Sequence, residues 1–259
     1  MMPAGITPEE LHNIYAAEEQ FWWYQGMRAI STAFLNPLSS IRLERGLEAG
    51  CGTGYNALEF ERLYGCQMVG MDLEPLALLY GRKRNFKRSL RGSIKELPFP
   101  AECFDLVTCF DVLLHLPPGE EPGPLAEFAR VLRPGGWLVL RVAAFNLLRS
   151  RHSQFVSERQ RFRAGPLLRL IARCGLQTVR WSYANSFLSP IALVKFRIVE
   201  PLLGTEPHSG VEAMPPAWLN RLLKRVLLCE AALIRRGCRF VFGQSLLILA
   251  QKTASSHNA

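Results

Sequence analysis

Glycine spacing and one carboxylate carry the clearest chemical signal in this chain. Residues 46–54 (Gly-Leu-Glu-Ala-Gly-Cys-Gly-Thr-Gly) lead from a short apolar strand into a glycine-rich loop, and a helical pattern begins at Tyr55. A second apolar strand, residues 68–71, ends at Asp72. Glycines let a backbone approach a ligand closely, and a carboxylate at the end of the second strand can accept both hydroxyls of a ribose. The pattern predicts half of a nucleotide-binding βαβ unit.

The acidic residue before the loop indicates which nucleotide would bind. Dinucleotide sites favour G-x-G-x-x-G, with the pyrophosphate at the helix N-terminus, whereas this loop reads G-x-G-x-G and is followed by Tyr55. Glu48 stands just before the loop, where a carboxylate suits an ammonium or sulfonium charge better than a pyrophosphate. S-adenosylmethionine has both of those charges and a ribose, so we expect it as the cofactor. A plain glycine-rich turn is the alternative.

With these residues the chain resembles the class I S-adenosylmethionine-dependent methyltransferases, in the broad group that contains small-molecule and quinone methyltransferases. The resemblance continues through that group's later landmarks, in its order and spacing, at residues 97–100, 104–107, 110–115 and 130–136. It is specific over about residues 46–142 and weaker elsewhere. It implies a Rossmann-like α/β fold, with a seven-stranded, mostly parallel sheet, helices on both faces and an antiparallel last strand.

The resemblance also implies which residues bind the cofactor. Glu48 and the loop would hold its amino-acid end, Asp72 would bind the ribose, and Leu73 would pack on the adenine. Ser93 stands at the adenine edge, where many relatives have an aspartate, so we expect modest affinity. The whole predicted cofactor-binding set is Glu48, Gly50, Cys51, Gly52, Gly54, Asp72, Leu73, Ser93, Ile94 and Phe110.

One histidine is the candidate catalytic residue. His115 follows Asp111 by four residues, after the fourth predicted strand, where open α/β sheets bind ligands. Phe110, just before them, would border the sulfonium. Methyl transfer from a sulfonium needs mainly orientation, and it needs a base only when the acceptor is a weak acid such as a hydroxyl. His115 is either that base or a hydrogen-bonded scaffold residue.

The overall composition is typical of one large α/β domain. A chain of 259 residues accommodates a single core with an addition. No apolar run reaches the roughly 18 residues that a membrane span needs, and the first ten residues lack a signal-peptide pattern. The seven cysteines are scattered without a C-x-x-C pair, which predicts a reduced, cytoplasmic protein without a metal site.

The net charge of +9 is unevenly distributed along the chain. Residues 1–150 have a net charge of −2, whereas residues 151–259 contain 16 lysines and arginines against five acidic residues, a net charge of +11. This asymmetry favours an anionic partner, which could be a phosphate-bearing substrate, a membrane surface or nucleic acid. A solvated basic face is the alternative.

The predicted organisation is a single methyltransferase domain over residues 1–259. Its parts are a helical lid (1–40), the core sheet (41–188), a helical insertion (189–243), the last strand (244–252) and a tail (253–259). Thr7-Pro8-Glu9-Glu10 is a helix-capping signal at the start of the lid. The four aromatic residues 21–24 are typical of a segment over the cofactor in the resembling group, or of a helix pinned to the sheet.

The insertion is the least family-typical part, so we expect it to set the choice of substrate or partner. Residues 216–236 place apolar side chains at helical spacing, with lysine and arginine off that stripe. Such a helix either lies on an anionic bilayer or packs on its own domain. Residues 187–203 raise the same question with less force. Peripheral contact with the inner face of the membrane is therefore one expectation for this region.

Three functions remain open at this point. The favoured one is methyl transfer to a small-molecule, lipid-linked or glycan acceptor, at oxygen first and at carbon next. Methylation of RNA or protein is second, and a non-catalytic subunit of this fold that binds a partner is third. The motifs of base-methylating enzymes are missing, since residues 110–113 read Phe-Asp-Val-Leu instead of N/D-P-P-Y/F and the chain has no Pro-Cys pair. Nucleic acid is therefore not the expected partner.

Overall fold

A computed structural model of the chain describes residues 6–204 and 206–253. Two helices precede the sheet, α1 (Pro8–Ala17) and α2 (Trp22–Phe34). The predicted cap of α1 is confirmed, because the Thr7 hydroxyl accepts a hydrogen bond from the Glu10 N–H at 3.2 Å. The predicted tail, apart from Thr253, lies outside the described residues.

Seven strands form one sheet in the order β3-β2-β1-β4-β5-β7-β6. Strands β1 to β5 pair in parallel, and β7 runs antiparallel to both β5 and β6. The predicted fold, including the antiparallel last strand, is therefore confirmed. The strand bounds are β1 Arg45–Ala49, β2 Gln67–Asp72, β3 Ser89–Arg91, β4 Phe104–Phe110, β5 Leu132–Ala143, β6 Leu176–Ala184 and β7 Ser245–Lys252.

Helices cover both faces of this sheet. Adjacent strand residues such as Leu106 and Val107 belong to different buried clusters, because successive side chains of a strand point to opposite faces. Burial on both faces explains why the central strands read as continuous apolar runs. The connecting helices are α3 (Tyr55–Tyr64), α4 (Pro75–Lys83), α5 (Pro122–Val131), α6 (Arg151–Phe155) and α7 (Ala164–Arg173).

The fifth strand is longer than its sequence pattern suggests. Apolar residues begin at Trp137, but the strand begins at Leu132, because residues 133–136 form a bulge within it. The pairing with β4 moves across this bulge from Phe104–Leu132 to Leu106–Trp137. A turn of the Arg-Pro-Gly-Gly type can therefore interrupt a strand without ending it.

The insertion between β6 and β7 is helical, as predicted. It contains α8 (Ser189–Val194), a π-helical turn (Lys195–Val199), α9 (Glu200–Leu202) and α10 (Ala217–Arg235). Helix α10 packs along α2, and its residues Leu227, Ala231 and Ile234 are buried in the same cluster as the apolar side chains of α2. The apolar stripe of α10 is thus largely covered by its own domain.

Candidate cofactor and acceptor site

A cavity of about 980 Å³ opens at the carboxyl ends of β1, β2 and β4. This is the edge at which open α/β sheets bind ligands. Three segments far apart in sequence enclose it, namely the N-terminal helices, residues 150–161 after β5, and the insertion. Asn220 of α10 ties two of these together, because its side chain accepts from the Trp22 N–H at 2.9 Å and donates to the Gln20 carbonyl at 3.0 Å.

The loop after β1 leaves room for a ligand beside its backbone. Gly52 has a φ of 50°, and a Cβ there would meet no atom within 4 Å, so this position faces open space. At position 50 glycine is required by packing instead, since a Cβ there would lie 2.2 Å from the side chain of Val112. Gly50, Cys51 and Gly52 line the cavity, whereas Gly54 starts α3 outside the cavity wall.

Asp72 ends β2 and braces this loop. Its Oδ2 accepts from the Gly52 N–H at 2.8 Å, and its Oδ1 accepts from the Glu74 N–H at 3.0 Å. Burial raises the pKa of Asp72, and these backbone N–H groups oppose the rise. Each carboxylate oxygen keeps a second lone pair. The side chain can therefore accept from a ribose diol while it fixes the loop.

Glu48 lies in β1, fully buried, and does not line the cavity. Burial raises the pKa of Glu48 to about 8, although the Asn56 side chain and the Ala57 N–H are close enough to oppose that rise. Neither carboxylate oxygen forms a hydrogen bond of good geometry. The sequence placed Glu48 in direct contact with the cofactor, but the structure puts it behind the wall. With a pKa of about 8, Glu48 is mostly protonated near pH 7, and a cationic ligand beside the loop would favour its ionised form whereas a pyrophosphate would oppose it. The site therefore fits S-adenosylmethionine better than a dinucleotide.

The adenine side of the site has an apolar surface and one weak acceptor. Leu73 is 49 % exposed beside Asp72, and Ser93, Ile94 and Phe110 line the same cavity. The Ser93 hydroxyl oxygen accepts from the Lys95 N–H at 3.2 Å, which leaves it one lone pair for an adenine amino group. Nine of the eleven predicted site residues thus lie on the cavity wall, all but Glu48 and Gly54.

Replacement of Ser93 by aspartate is expected to strengthen the binding of S-adenosylmethionine. A carboxylate accepts a stronger hydrogen bond than a hydroxyl, by about 1 kcal/mol, so the dissociation constant should fall roughly five- to tenfold. Titration calorimetry on Ser93→Asp and Ser93→Asn separates charge from size, because asparagine has the same shape without the charge. Equal affinities for all three proteins would place the adenine elsewhere.

An ion pair between a buried arginine and a partly exposed aspartate forms another part of the cavity wall. Arg141 of β5 donates from Nε to the Asp111 Oδ2 at 2.8 Å, and its Nη2 lies 2.7 Å from the same oxygen. The Arg141 guanidinium carbon also lies 5.0 Å from the ring centroid of Phe110 and 5.5 Å from that of Trp23. Sequence reasoning missed Arg141. The available signal was an arginine inside a strand that is otherwise apolar.

His115 lines the cavity close to this pair, in a short 3₁₀ turn (Leu113–His115). Burial lowers the pKa of His115, while the carboxylates of Asp111 and Glu158 oppose that shift. Its Nδ1 is buried without a hydrogen-bond partner among the described residues. The ring is therefore neutral near pH 7, as a general base requires, while the Ser157 backbone is also close enough to oppose the lowering of the His115 pKa by a hydrogen bond to the ring.

The N-terminal helices are fastened to the cofactor loop by a clasp at Glu18, Arg84 and Thr53. The Glu18 carboxylate accepts from the Thr53 hydroxyl at 2.5 Å and lies 3.0 Å from Arg84 Nη2. Arg84 also donates to the Tyr15 carbonyl at 2.9 Å, and Arg28 donates to the Glu18 carbonyl at 2.6 Å. The clasp joins α1 to the loop and to the residue that follows α4.

Arg84→Ala is expected to loosen this clasp and to lower the stability of the protein by about 3 kcal/mol, because it leaves the buried Glu18 carboxyl without its cation. Arg88→Ala is the matched control. Arg88 pairs with Glu61 with 47 % of its side chain exposed, so its loss should cost at most about 1 kcal/mol. Urea denaturation of the two variants measures the difference. Equal losses would show that the clasp adds nothing beyond a surface pair.

Among residues 6–204 and 206–253, no cluster of three or more histidine, cysteine, aspartate or glutamate side chains could hold a metal ion. In the same part of the chain, no helix has the length and apolar character needed to cross a bilayer.

Sequence comparisons identify the domain that carries this site. Residues 47–140 match the family described as a methyltransferase domain. The chain is 35 % identical over 121 residues to malonyl-[acyl-carrier protein] O-methyltransferase of Serratia marcescens, which covers 45 % of each protein. It is 33 % identical over 97 residues to sterol 24-C-methyltransferase of Eremothecium gossypii, covering 35 % of this chain and 26 % of that protein. The chain thus spans less than half the length of these curated relatives.

Solved structures share the fold. A complex of the Haloferax volcanii Trm112 methyltransferase activator with a putative methyltransferase superposes with a TM-score of 0.60 at 19 % identity, covering 93 % of each chain. Geranyl diphosphate C-methyltransferase from Streptomyces coelicolor gives 0.54 at 16 % identity, covering 81 % of this chain and 73 % of that one. Residues 47–140 thus carry a methyltransferase domain, and together with the strand order and the loop with Asp72 this supports a class I S-adenosylmethionine-dependent methyltransferase.

Proposed function

We propose that the protein transfers a methyl group from S-adenosylmethionine to a small-molecule or lipid-linked acceptor, at oxygen in preference to carbon. One observation carries this proposal. The cofactor wall (Gly50, Gly52, Asp72) and the wall with His115 and Arg141 face the same cavity, so the residues for binding and for proton transfer share one enclosed space. When bound, S-adenosylmethionine supplies an electrophilic methyl group with a neutral leaving group.

The residues of the chain then have separate tasks. The loop and Asp72 hold the cofactor, and its positive charge would favour the ionised form of the buried Glu48 behind the loop. The N-terminal helices act as the lid, because the aromatic residues 21–24 line the cavity and exclude water from it. His115 Nδ1 takes the proton of an acceptor hydroxyl, while Arg141, fixed by Asp111, orients the acceptor.

The cavity lining outside the cofactor wall favours an acceptor with an apolar body and an anionic group. It includes apolar surface from Trp22, Trp23 and Phe196. Arg159 and Lys195 line the same space, and neither forms an ion pair with another described residue. The name of the similar malonyl-[acyl-carrier protein] O-methyltransferase agrees with an anionic group on the acceptor, and that of the similar sterol 24-C-methyltransferase agrees with an apolar body.

This acceptor class and the basic C-terminal half also favour a cytoplasmic protein that contacts the inner face of a membrane peripherally. Glycans, RNA and proteins remain less favoured acceptors, since the cavity walls are mainly apolar and aromatic. A non-catalytic subunit of this fold is the remaining alternative.

The test has a binding step and a transfer step. Titration calorimetry with S-adenosylmethionine and S-adenosylhomocysteine should give micromolar dissociation constants, and NAD should not bind. Transfer of a labelled methyl group is then followed into lipid extracts, with total RNA and protein as parallel acceptors. Cofactor binding without transfer into any fraction would favour the non-catalytic subunit, and absence of cofactor binding would overturn the proposal.

A further inference from the structure

The first helical segment of the insertion turns apolar side chains outward. Ile191, Val194, Ile198 and Leu202 follow one another at helical spacing across α8, the π-helical turn and α9. Their exposed fractions are 68, 51, 52 and 79 %. We call these four residues the outward stripe. Contiguous exposed apolar surface of this kind marks an interaction site in a folded protein.

The other face of the same helix belongs to the cavity. Ala192 and Glu200 are buried, and both line the cavity together with Phe196. Ile191 and Lys195 lie at the edge, since they are exposed and also line the cavity. One helix therefore separates the cavity from solvent, with apolar side chains on its solvent face. The outward stripe therefore lies on the outer side of a cavity wall, and its first residue, Ile191, also lines the cavity.

The outward stripe differs from the apolar stripe of α10, which was the stronger membrane candidate in the sequence. Helix α10 buries Leu227, Ala231 and Ile234 against α2, so these three side chains cannot contact a membrane. The weaker sequence candidate, residues 187–203, keeps seven large apolar side chains exposed among the described residues, whereas α10 keeps three, Trp218, Leu222 and Leu228.

The charges around the outward stripe indicate which kind of partner it would bind. Its helix carries the cations Lys195 and Arg197, and the one acidic residue of that helix, Glu200, is buried on the opposite face. Helix α10 contains four cations, and its one acidic residue, Glu230, is buried. The segment between the helices adds the exposed Glu206 and Glu212, which leaves residues 189–243 with eight cations against four acidic residues. The stripe is aliphatic, whereas protein–protein hot spots are rich in tryptophan, tyrosine and arginine. Aliphatic side chains flanked by cations fit an anionic bilayer.

We propose that the outward stripe docks the protein on an anionic lipid bilayer. Val194, Ile198 and Leu202 enter the boundary of the acyl chains, and Lys195 meets the phosphate headgroups. The edge of the cavity at Ile191 then faces the membrane, so a lipid-linked acceptor passes from the bilayer to the site without crossing water. Docking itself is independent of methyl transfer; only this consequence for the acceptor rests on the proposed function.

The central experiment is co-sedimentation of the full chain with vesicles. Wild type should bind phosphatidylcholine vesicles that contain phosphatidylglycerol, and bind more weakly to phosphatidylcholine alone or at high salt. The combined variant Val194→Asp, Ile198→Asp and Leu202→Asp should bind at least about 100-fold more weakly, since three apolar side chains lose their insertion. None of the three lines the cavity, so cofactor binding in the absence of vesicles should be unchanged.

A matched control uses exposed leucines at the other end of the sheet. Leu63 on α3 and Leu79 on α4 are 41 and 48 % exposed, on helices that pack against β2 and β3. Leu63→Asp with Leu79→Asp should keep vesicle binding within about twofold of wild type, because these residues lie outside the proposed surface. Equal losses in the two variants would show a general effect of charge and would overturn the proposal.

A second measurement does not depend on a disruptive change. Leu202→Trp should gain tryptophan fluorescence that brominated acyl chains quench, and Leu79→Trp should not. Absence of vesicle binding by wild type would overturn the proposal. So would a wild-type dimer in light scattering that the combined variant dissociates, since the stripe would then join two copies of the chain. Calorimetry with S-adenosylmethionine on the same samples reports separately on the proposed function.

Discussion

Asp72→Ala is expected to abolish measurable binding of S-adenosylmethionine. The Asp72 carboxylate would accept from two ribose hydroxyls, and hydrogen bonds to a charged group contribute about 1.5–3 kcal/mol each, so affinity should fall by about 100-fold or more. A further loss comes from the loop, because the Gly52 N–H loses its acceptor at 2.8 Å. Titration calorimetry measures the change directly.

Asp105 provides the matched control for this variant. Its Oδ2 accepts from the N–H groups of Glu44 and Arg45 at 2.9 and 2.8 Å, and its Oδ1 pairs with Arg133, but it does not line the cavity. Asp105→Ala therefore removes a similar backbone brace away from the ligand. It should lower stability and leave cofactor affinity unchanged. An Asp72→Ala protein that binds as tightly as wild type would remove Asp72 from the site.

The sheet and the cofactor wall could be predicted because their signals are local. Each strand is a short apolar run, and the loop from residue 50 to 54 follows directly from β1, so sequence order fixes where Asp72 and Ser93 lie. The predicted second strand, residues 68–71, and the predicted last strand, residues 244–252, agree with β2 and β7 within one residue for this reason. The bulge at residues 133–136 hides the first residues of β5, since a glycine-rich turn normally ends a strand.

The rest of the site depends on contacts between distant segments. Glu18 meets Thr53 and Arg84 only after α1 packs across the loop, and nothing in its local sequence indicates that partner. Glu48 illustrates the reverse case. Its position in the motif was recognised, but the direction of its side chain within β1 follows from the strand's alternation, which buries it behind the wall. Which face of the insertion is covered also depends on the packing of α10 on α2.

His115→Ala is expected to lower kcat about 100-fold or more with an oxygen acceptor, because a positioned general base contributes about 10²–10⁴-fold. The wild-type kcat should fall as the pH falls through the pKa of His115, which burial places below its usual 6.5, since the protonated ring cannot accept a proton. Above that pKa the rate should be constant. In His115→Ala this acid limb should disappear together with the rate, and cofactor affinity should stay near that of wild type.

His152 distinguishes a base from a buried scaffold histidine. It also lines the cavity and burial also lowers its pKa, but its Nδ1 already accepts from the Gly210 N–H at 2.9 Å. His152→Ala should therefore keep the acid limb of the rate profile even if it loses stability.

The lowered pKa values of His115 and His152 both make the folded protein less stable as the pH falls below about 6.5, because the unfolded chain then binds protons that the folded one does not. Stability must accordingly be measured at each pH. If the acid limb of kcat survives in His115→Ala, then His115 is a scaffold residue and the base lies elsewhere.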